Sequence, residues 1–148
     1  MASYAENRKA RFNYEFMEKY ETGIELLGME VKSVRGGQMS LEGAFVIVRG
    51  GEAFLINANV PPYQPKNAEK DYNSLRNRKL LLTKKEITEL AGSEKNKSLT
   101  IVPISVYNKG RKIKVEIALV KGKKKFDKRE TIKKRETDRE VRREYKER

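Results

Sequence analysis

The last 28 residues, 121–148, constrain the fold more than any other stretch. They hold 14 Lys/Arg and 7 Asp/Glu. Their sizeable apolar side chains are Phe126, Ile132, Val141 and Tyr145. Burying four scattered apolar groups gains roughly 6–12 kcal/mol, whereas ordering each backbone residue costs about 1–2 kcal/mol. This tail cannot form a core by itself, and we expect it to be disordered until a partner orders it.

The tail nevertheless favours a helix once it is ordered. It has no Gly or Pro from 130 to 148, and it carries three acid-to-base pairs at i,i+4 spacing: Glu130/Lys134, Asp138/Arg142 and Glu144/Arg148. Ahead of this latent helix, residues 121–129 form a dense cation cluster around Phe126, which suits phosphates and a stacked base. A solvated charge run is the alternative, and the irregular apolar spacing disfavours a coiled coil.

Residues 1–120 remain to form the fold, which is enough for one domain that buries roughly two-thirds of its unfolded surface. The net charge of +13 divides into +7 for the tail and +6 for residues 1–120, where 20 Lys/Arg face 14 Asp/Glu. Both parts should therefore seek a polyanion. We expect RNA or DNA rather than a membrane, because the tail has no large apolar stripe and no apolar run approaches about 18 residues.

Missing residue types exclude most catalytic chemistry. The chain has no Cys and no His, so it lacks disulfides, thiolate zinc sites and the usual general base near neutral pH. It also has no Gly-rich phosphate loop and no G-x-S-x-G. We therefore predict a non-enzymatic protein without cofactor or metal. The charged N-terminus shows no signal-peptide pattern, so we expect a cytoplasmic protein. We also expect a monomer.

The N-terminal half predicts short elements. Residues 1–11 form a polar arm with a helix-compatible run. Aromatic and aliphatic residues from 12 to 27 predict two strands with a break near Glu21-Thr22-Gly23. Residues 29–35 predict a short helix that ends at Gly36-Gly37.

The C-terminal half of the domain predicts two hairpins around a loop and a helix. Gly50-Gly51 separates strands at 43–49 and 53–57. Prolines at 61, 62 and 65 predict a stiff loop that stays polar to Lys79. Thr83 caps a helix, with Glu86 completing a capping box and Gly92 as the stop. Strands at 99–107 and 113–120 form the last hairpin.

Alternation along the last strand predicts a barrel wall. Ile113, Val115, Ile117 and Leu119 alternate with Lys112, Lys114, Glu116 and Ala118, which indicates one core face and one basic face. The fold predicted for residues 1–120 is mainly β with short helices, a small antiparallel β-barrel in the oligonucleotide-binding style.

Basic and aromatic constellations are the candidate RNA ligands. They are Asn7, Arg8, Lys9 and Arg11 with Tyr14, then Arg76, Arg78 and Lys79 ahead of leucines 80–82, and finally the tail cluster. On an extended segment Arg76 and Arg78 point the same way, as two phosphate ligands should. One exposed leucine of the three could stack on a flipped base, and the alternative is a core triplet.

Several blocks, in order along nearly the whole chain, carry a family resemblance. They are Asn7-Arg8-Lys9-Ala10-Arg11, Glu30-Val31-Lys32-Ser33, Gly51-Glu52-Ala53-Phe54-Leu55, Arg78-Lys79-Leu80-Leu81-Leu82, Lys121-Gly122-Lys123-Lys124 and Asp127-Lys128-Arg129. They resemble the SsrA-binding protein (small protein B) family, the bacterial protein partners of transfer-messenger RNA.

The resemblance implies a division of labour. The barrel would bind the tRNA-like domain of transfer-messenger RNA. The tail would enter the decoding centre and empty mRNA channel of a stalled ribosome and fold into a helix there. Elongation factor Tu and alanyl-tRNA synthetase would be indirect partners, reached through the RNA. A structural ribosomal protein with a buried basic tail is the runner-up, and an RNA-modifying enzyme would need a cofactor pocket or a catalytic base.

The resemblance also implies roles for residues. Positions tied to transfer-messenger RNA are Glu21, Arg35, Leu81 and Thr83, with the block at 7–11 nearby. Positions tied to decoding are Gly122, Lys123, Lys124, Phe126, Asp127, Lys128 and Arg129. Phe126 stands where relatives often have His or Tyr, so it keeps stacking and loses a hydrogen bond. Thr83 replaces an asparagine of some relatives and serves first as a helix cap.

Overall fold

A computed structural model describes residues 3–64, 71–96 and 98–122. These residues contain seven strands and three helices. The strands are β1 (Ser3–Glu6), β2 (Tyr14–Ile24), β3 (Phe45–Arg49), β4 (Glu52–Ile56), β5 (Arg78–Leu81), β6 (Leu99–Lys109) and β7 (Lys112–Gly122). The helices are α1 (Arg8–Asn13), α2 (Gly28–Arg35) and α3 (Lys84–Glu94).

Six of the strands follow one another around a barrel-like ring. The order is β2-β5-β4-β3-β6-β7, with β7 pairing back to β2, and every pair is antiparallel. The additional strand β1 pairs with β6 beyond the point where β3 does. The predicted architecture, a small antiparallel β-barrel with short helices, is confirmed.

Local turn and cap chemistry accounts for two confirmed elements. Gly50 and Gly51 both have positive φ, 59° and 75°, as the two central residues of a tight hairpin turn require. Thr83 caps α3 because its hydroxyl accepts the Glu86 N–H at 3.2 Å, while the Glu86 carboxylate accepts the Thr83 N–H at 3.1 Å.

Two predicted boundaries were wrong and one strand was missed. The break near Glu21-Thr22-Gly23 does not exist, because β2 runs on through Gly23, which pairs with β5 and β7 together. Strand β1 was not predicted. Helix α3 continues past Gly92 to Glu94, and Leu90, fully buried, holds its last turns on the core.

The apolar core has two parts. Leu55, Leu80, Ile101 and Ile117 are among the residues that fill the ring, and each such buried side chain contributes roughly 1.5–3 kcal/mol. A second cluster lies on the other face of β6 and β7: Ala10, Val102, Ile104, Ala118 and Val120. The predicted polar face of the last strand therefore extends only as far as Glu116. From Ala118 onwards that face is buried, because Ala118 packs in the same cluster as Ala10 of α1.

The paired strands β2 and β7 set the distance between the two ends of the barrel. Their register runs from Tyr14 opposite Gly122 to Gly23 opposite Lys114. At about 3.3 Å per residue, these ends lie about 25 Å apart. Strand β7 also carries the sheet to Gly122, two residues beyond the predicted end of the last strand at residue 120.

Candidate RNA-binding surface

A groove of about 380 Å³ lies where β2, β5 and β7 approach α2. We name it the Leu81 groove. Its lining contains four cations, Arg35, Arg111, Lys112 and Lys114, and the apolar or small residues Gly23, Ile24, Leu26, Val31, Leu81 and Ile113. A concave apolar site among cations offers ribose or base contact together with phosphate ligands.

Strand alternation and a missing side chain expose Leu81. Residues 78 and 80 of β5 point into the core, so Lys79 and Leu81 point outwards. Leu81 remains 53% exposed. It lies against Gly23, where an added Cβ would come within 3.2 Å of the Leu81 Cδ1. The leucine thus rests on bare backbone and presents its other side to solvent, so the three leucines are not a core triplet.

Two other predicted residues stand beside Leu81. Arg35 ends α2 and donates from Nη2 to the Arg111 carbonyl at 3.1 Å, which joins α2 to the β6–β7 turn. Thr83 follows β5 and is exposed, and its hydroxyl is engaged with Glu86. Arg35 and Leu81 share the groove, while Thr83 is observed as a helix cap.

Glu21 lies on the outer face of the barrel with partners that sequence reasoning missed. Its carboxylate accepts the Tyr107 hydroxyl and the Lys109 Nζ, the latter at 2.9 Å. These hydrogen bonds lower the pKa of Glu21 below its ordinary value. Burial, with the Glu21 charge beside it, raises the pKa of Tyr107. The partners lie 86 and 88 residues from Glu21, so no local pattern could have revealed them.

Arg78 is not a surface ligand, which corrects its predicted role. It is 0% exposed, and its guanidinium donates to Glu30 Oε2 at 2.5 and 2.9 Å. The carbonyl oxygens of Ala58, Ser74 and Arg76 accept its remaining donors at 2.8, 3.0 and 3.2 Å. Arg76 and Arg78 do approach the same group, as their alternate positions predicted. That group is Glu30 and not a phosphate, because Arg78 lies on the inner face of β5 with Leu80.

Arg76 belongs to the same network and is only partly exposed. It donates to both carboxylate oxygens of Glu30, from Nε at 3.0 Å and from Nη2. The Tyr72 hydroxyl donates to Glu30 at 2.9 Å. Burial alone would raise the pKa of Glu30, but the bonds from Arg76, the Leu27 N–H and Arg78 hold it at about 2. The network ties α2 to the chain ahead of β5.

The N-terminal candidates lie at the other end of β2. Asn7 caps α1 and donates to the Pro103 carbonyl at 3.0 Å. Arg8 and Lys9 are exposed, and Lys9 pairs with Glu42. Tyr14, partly buried against the second core cluster, sits opposite Gly122.

The remaining predicted residues are distributed as follows. Of Arg11 the structure describes only the backbone, within α1. Lys79 lies on the outer face of β5 and pairs with Glu52 at 3.2 Å. Gly122 ends β7. Outside the described residues lie Lys123, Lys124, Phe126, Asp127, Lys128 and Arg129.

The described residues hold neither a metal-ligand cluster nor a helix that could cross a membrane. Nowhere in 3–64, 71–96 and 98–122 do three or more acidic residues gather as metal ligands. Within the same ranges, every helix is too short or too polar to cross a membrane.

Comparisons with known proteins agree over almost the full length. The family model described as "SmpB protein" matches residues 4–147. The SsrA-binding protein of Thermosynechococcus vestitus is 46% identical over 144 residues, which cover 97% of this chain and 95% of the relative. That of Mesoplasma florum is 51% identical over 140 residues, 95% of this chain and 94% of the relative.

A solved structure agrees as well. It is described as "tmRNA-SmpB: a journey to the center of the bacterial ribosome". One of its chains matches with a TM-score of 0.68 and 41% identity, over 86% of this chain and 92% of that chain. The chain described here therefore belongs to the SmpB family.

Proposed function

We propose that this protein is the RNA-binding adaptor of ribosome rescue by trans-translation, and that its barrel binds the tRNA-like domain of transfer-messenger RNA. SmpB proteins are RNA-binding proteins and not enzymes. One observation carries the proposal: an exposed leucine among four cations lies at one end of the barrel, and the chain leaves for its basic tail at the other.

The Leu81 groove suits a folded RNA better than a small ligand. Arg35, Arg111, Lys112 and Lys114 place positive charge on α2, on the β6–β7 turn and on β7, so several phosphates can be bound at once. Leu81 offers an apolar surface to an unstacked base or a ribose. A closed barrel keeps these groups at fixed separations, which favours recognition of RNA by shape.

The tail performs the second role in this proposal. The tail enters the decoding centre and the empty mRNA channel, and its contacts with the small-subunit RNA are Gly122, Lys123, Lys124, Phe126, Asp127, Lys128 and Arg129. Support comes from the composition of the tail and from the separation of about 25 Å between Lys114 and Gly122, which lets two RNA partners be held together. Elongation factor Tu and alanyl-tRNA synthetase act on the RNA.

A titration of the full-length protein tests the first role. We expect it to bind transfer-messenger RNA more tightly than an ordinary tRNA, with a preference that survives as salt rises, because shape contacts do not depend on counterion release. Equal affinity for both RNAs, with a steep salt dependence, would contradict specific recognition. Retention on ribosomes through high-salt washing would favour a structural ribosomal protein instead.

A truncation after Gly122 tests the second role, since it keeps β7 whole. We expect transfer-messenger RNA binding to stay within about twofold, because the Leu81 groove is intact, and peptide tagging on stalled ribosomes to be lost. Charge reversal of Lys123 and Lys124 in the full chain is the matched variant, and tagging should fall more than RNA binding. Equal losses in both assays would make the tail a general RNA ligand.

A further inference from the structure

A row of four residues crosses the outer face of the barrel next to the Leu81 groove. Gly23 is paired with Leu81 on β5 and with Lys114 on β7, and Lys114 is paired with Tyr107 on β6. Directly paired residues of antiparallel strands point to the same face of a sheet. The row spans three strand spacings, about 14 Å, and leads from the exposed leucine to the tyrosine ring.

Glu21 stands two residues from Gly23 on β2 and shares its face. Its carboxylate holds the Tyr107 hydroxyl and, at 2.9 Å, the Lys109 Nζ. The side chain of Lys109 is 60% exposed and that of Glu21 is 38% exposed. Glu21 thus restrains the side chains of Tyr107 and Lys109, and Lys109 stays largely open to solvent.

The charge of Glu21 is unfavourable on a face that meets a polyanion. Simple Coulomb attraction predicts that removing it strengthens RNA binding. Glu116 is paired with Glu21 on β7, but cations still outnumber these two acids, since Lys109 is bound to Glu21, Lys112 is paired with Lys109 in the hairpin, and Lys114 lies next to Gly23. A carboxylate at this position can still favour binding if it orders the side chains that contact the RNA.

We propose that Tyr107 and Lys109 extend the Leu81 groove into a second RNA-contacting subsite, which shares Lys114 with the groove and takes a ribose-phosphate segment of the same RNA, and that Glu21 is its positioning residue. The inference rests on the proposed function. Lys109 and Lys114 bind phosphate oxygens, and the Tyr107 ring packs on a ribose or base. Glu21 acts through Lys109 and Tyr107 and does not contact the RNA.

The salt dependence of binding to transfer-messenger RNA tests the two lysines. Lys109→Gln and Lys114→Gln should each lower the slope of log affinity against log salt by about 0.7–0.9, the value for one lost phosphate contact. Arg49→Gln is the matched control: it removes one charge from an exposed pair with Glu94, on strand β3 opposite β2 in the ring. It should leave the slope unchanged. A wild-type slope for Lys109→Gln would overturn the subsite, because Lys114 also lines the Leu81 groove.

A double-mutant cycle tests Glu21. We expect Glu21→Gln to weaken binding about threefold to tenfold despite the lost negative charge, and to cost little more in a Lys109→Gln or Tyr107→Phe background. Thermal melting of each variant shows that the fold is intact. Tighter binding by Glu21→Gln, or losses that simply add, would overturn the positioning role.

The two levels of inference fail differently. If wild-type protein does not prefer transfer-messenger RNA, the proposed function fails. If wild type prefers it and the Lys109 and Tyr107 variants bind as wild type does, only the second subsite fails.

Discussion

Two clusters in this protein are built from the same groups and differ in burial. In each, one glutamate accepts hydrogen bonds from a tyrosine hydroxyl and from side-chain cations, which are two arginines for Glu30 and one lysine for Glu21. Glu30 does so in the interior, where it and Arg78 are both 0% exposed. Glu21 does so on the outer face, where Lys109 is mostly exposed.

The difference shows how burial assigns a role to one kind of contact. A buried ion must keep its partner, because an unpaired charge in the interior is very costly. An exposed ion pair adds little net stability, since water screens it and both side chains lose freedom. The inner cluster is therefore fixed by folding, whereas the outer cluster is free to serve binding.

The largest expected effect is on the inner cluster. Glu30→Gln leaves the Arg78 guanidinium buried beside a neutral group, and we expect a loss of about 3–5 kcal/mol in the free energy of unfolding. Thermal denaturation should show a Tm lower by more than about 10 °C. Glu42→Gln, in the exposed pair with Lys9, is the control and should barely shift the Tm. A shift as small as the control's for Glu30→Gln would remove the contrast between the clusters.

Acid should weaken the inner cluster next. The pKa of Glu30 is held at about 2 against an ordinary value of 4.5. The stability that this carboxylate contributes is fully present above pH 4.5 and is lost as pH falls towards 2, by roughly 3 kcal/mol. Urea unfolding between pH 5 and pH 2 measures it. The pH dependence should shrink in Glu30→Gln, and an unchanged dependence would place the titration elsewhere.

On the outer face, the expected effect moves from stability to binding. Leu81→Ala should weaken binding to transfer-messenger RNA by about tenfold, as the loss of one apolar base contact does. Its Tm should stay close to wild type because Leu81 is half exposed. Leu80→Ala is the matched variant on the inner side of β5 and should cost about 2–5 kcal/mol of stability. A drop in Tm for Leu81→Ala as large as that for Leu80→Ala would make Leu81 a core residue.

The smallest expected effect is that of Glu21→Gln on stability. The carboxylate is exposed, so its loss should shift the Tm by no more than about 2 °C at neutral pH. Calorimetry or circular dichroism measures this directly. A shift comparable to that of Glu30→Gln would mean that the outer cluster is structural too.

Elements with local signals could be predicted from the sequence. Gly50-Gly51 indicated a hairpin because two adjacent positive φ angles need glycine, and Thr83 with Glu86 indicated a helix start because both halves of the cap lie within four residues. The alternation of apolar residues located the last hairpin. The four residues of β1 were missed because so short a strand carries too little alternation to be seen.

Long-range partners could not be predicted. The burial of Arg78 depends on Glu30, 48 residues earlier, and on carbonyl oxygens from the chain between β4 and β5. Two arginines at alternate positions therefore suggested a phosphate site, whereas the structure uses both to neutralise one glutamate. The contact between Lys109 and Glu21 could not be predicted for the same reason. The two residues are distant in sequence and become neighbours only through the pairing of β6, β7 and β2.

Strand β7 has a mechanical consequence. It is hydrogen-bonded to β2 on one side and to β6 on the other, and its last residue, Gly122, is still paired with Tyr14. A force applied at Gly122 along the axis of β7 would act as shear on both ladders. Many hydrogen bonds would then share the load instead of breaking one after another. A molecular machine that pulled on the C-terminal segment in this direction would displace the whole barrel before it detached β7.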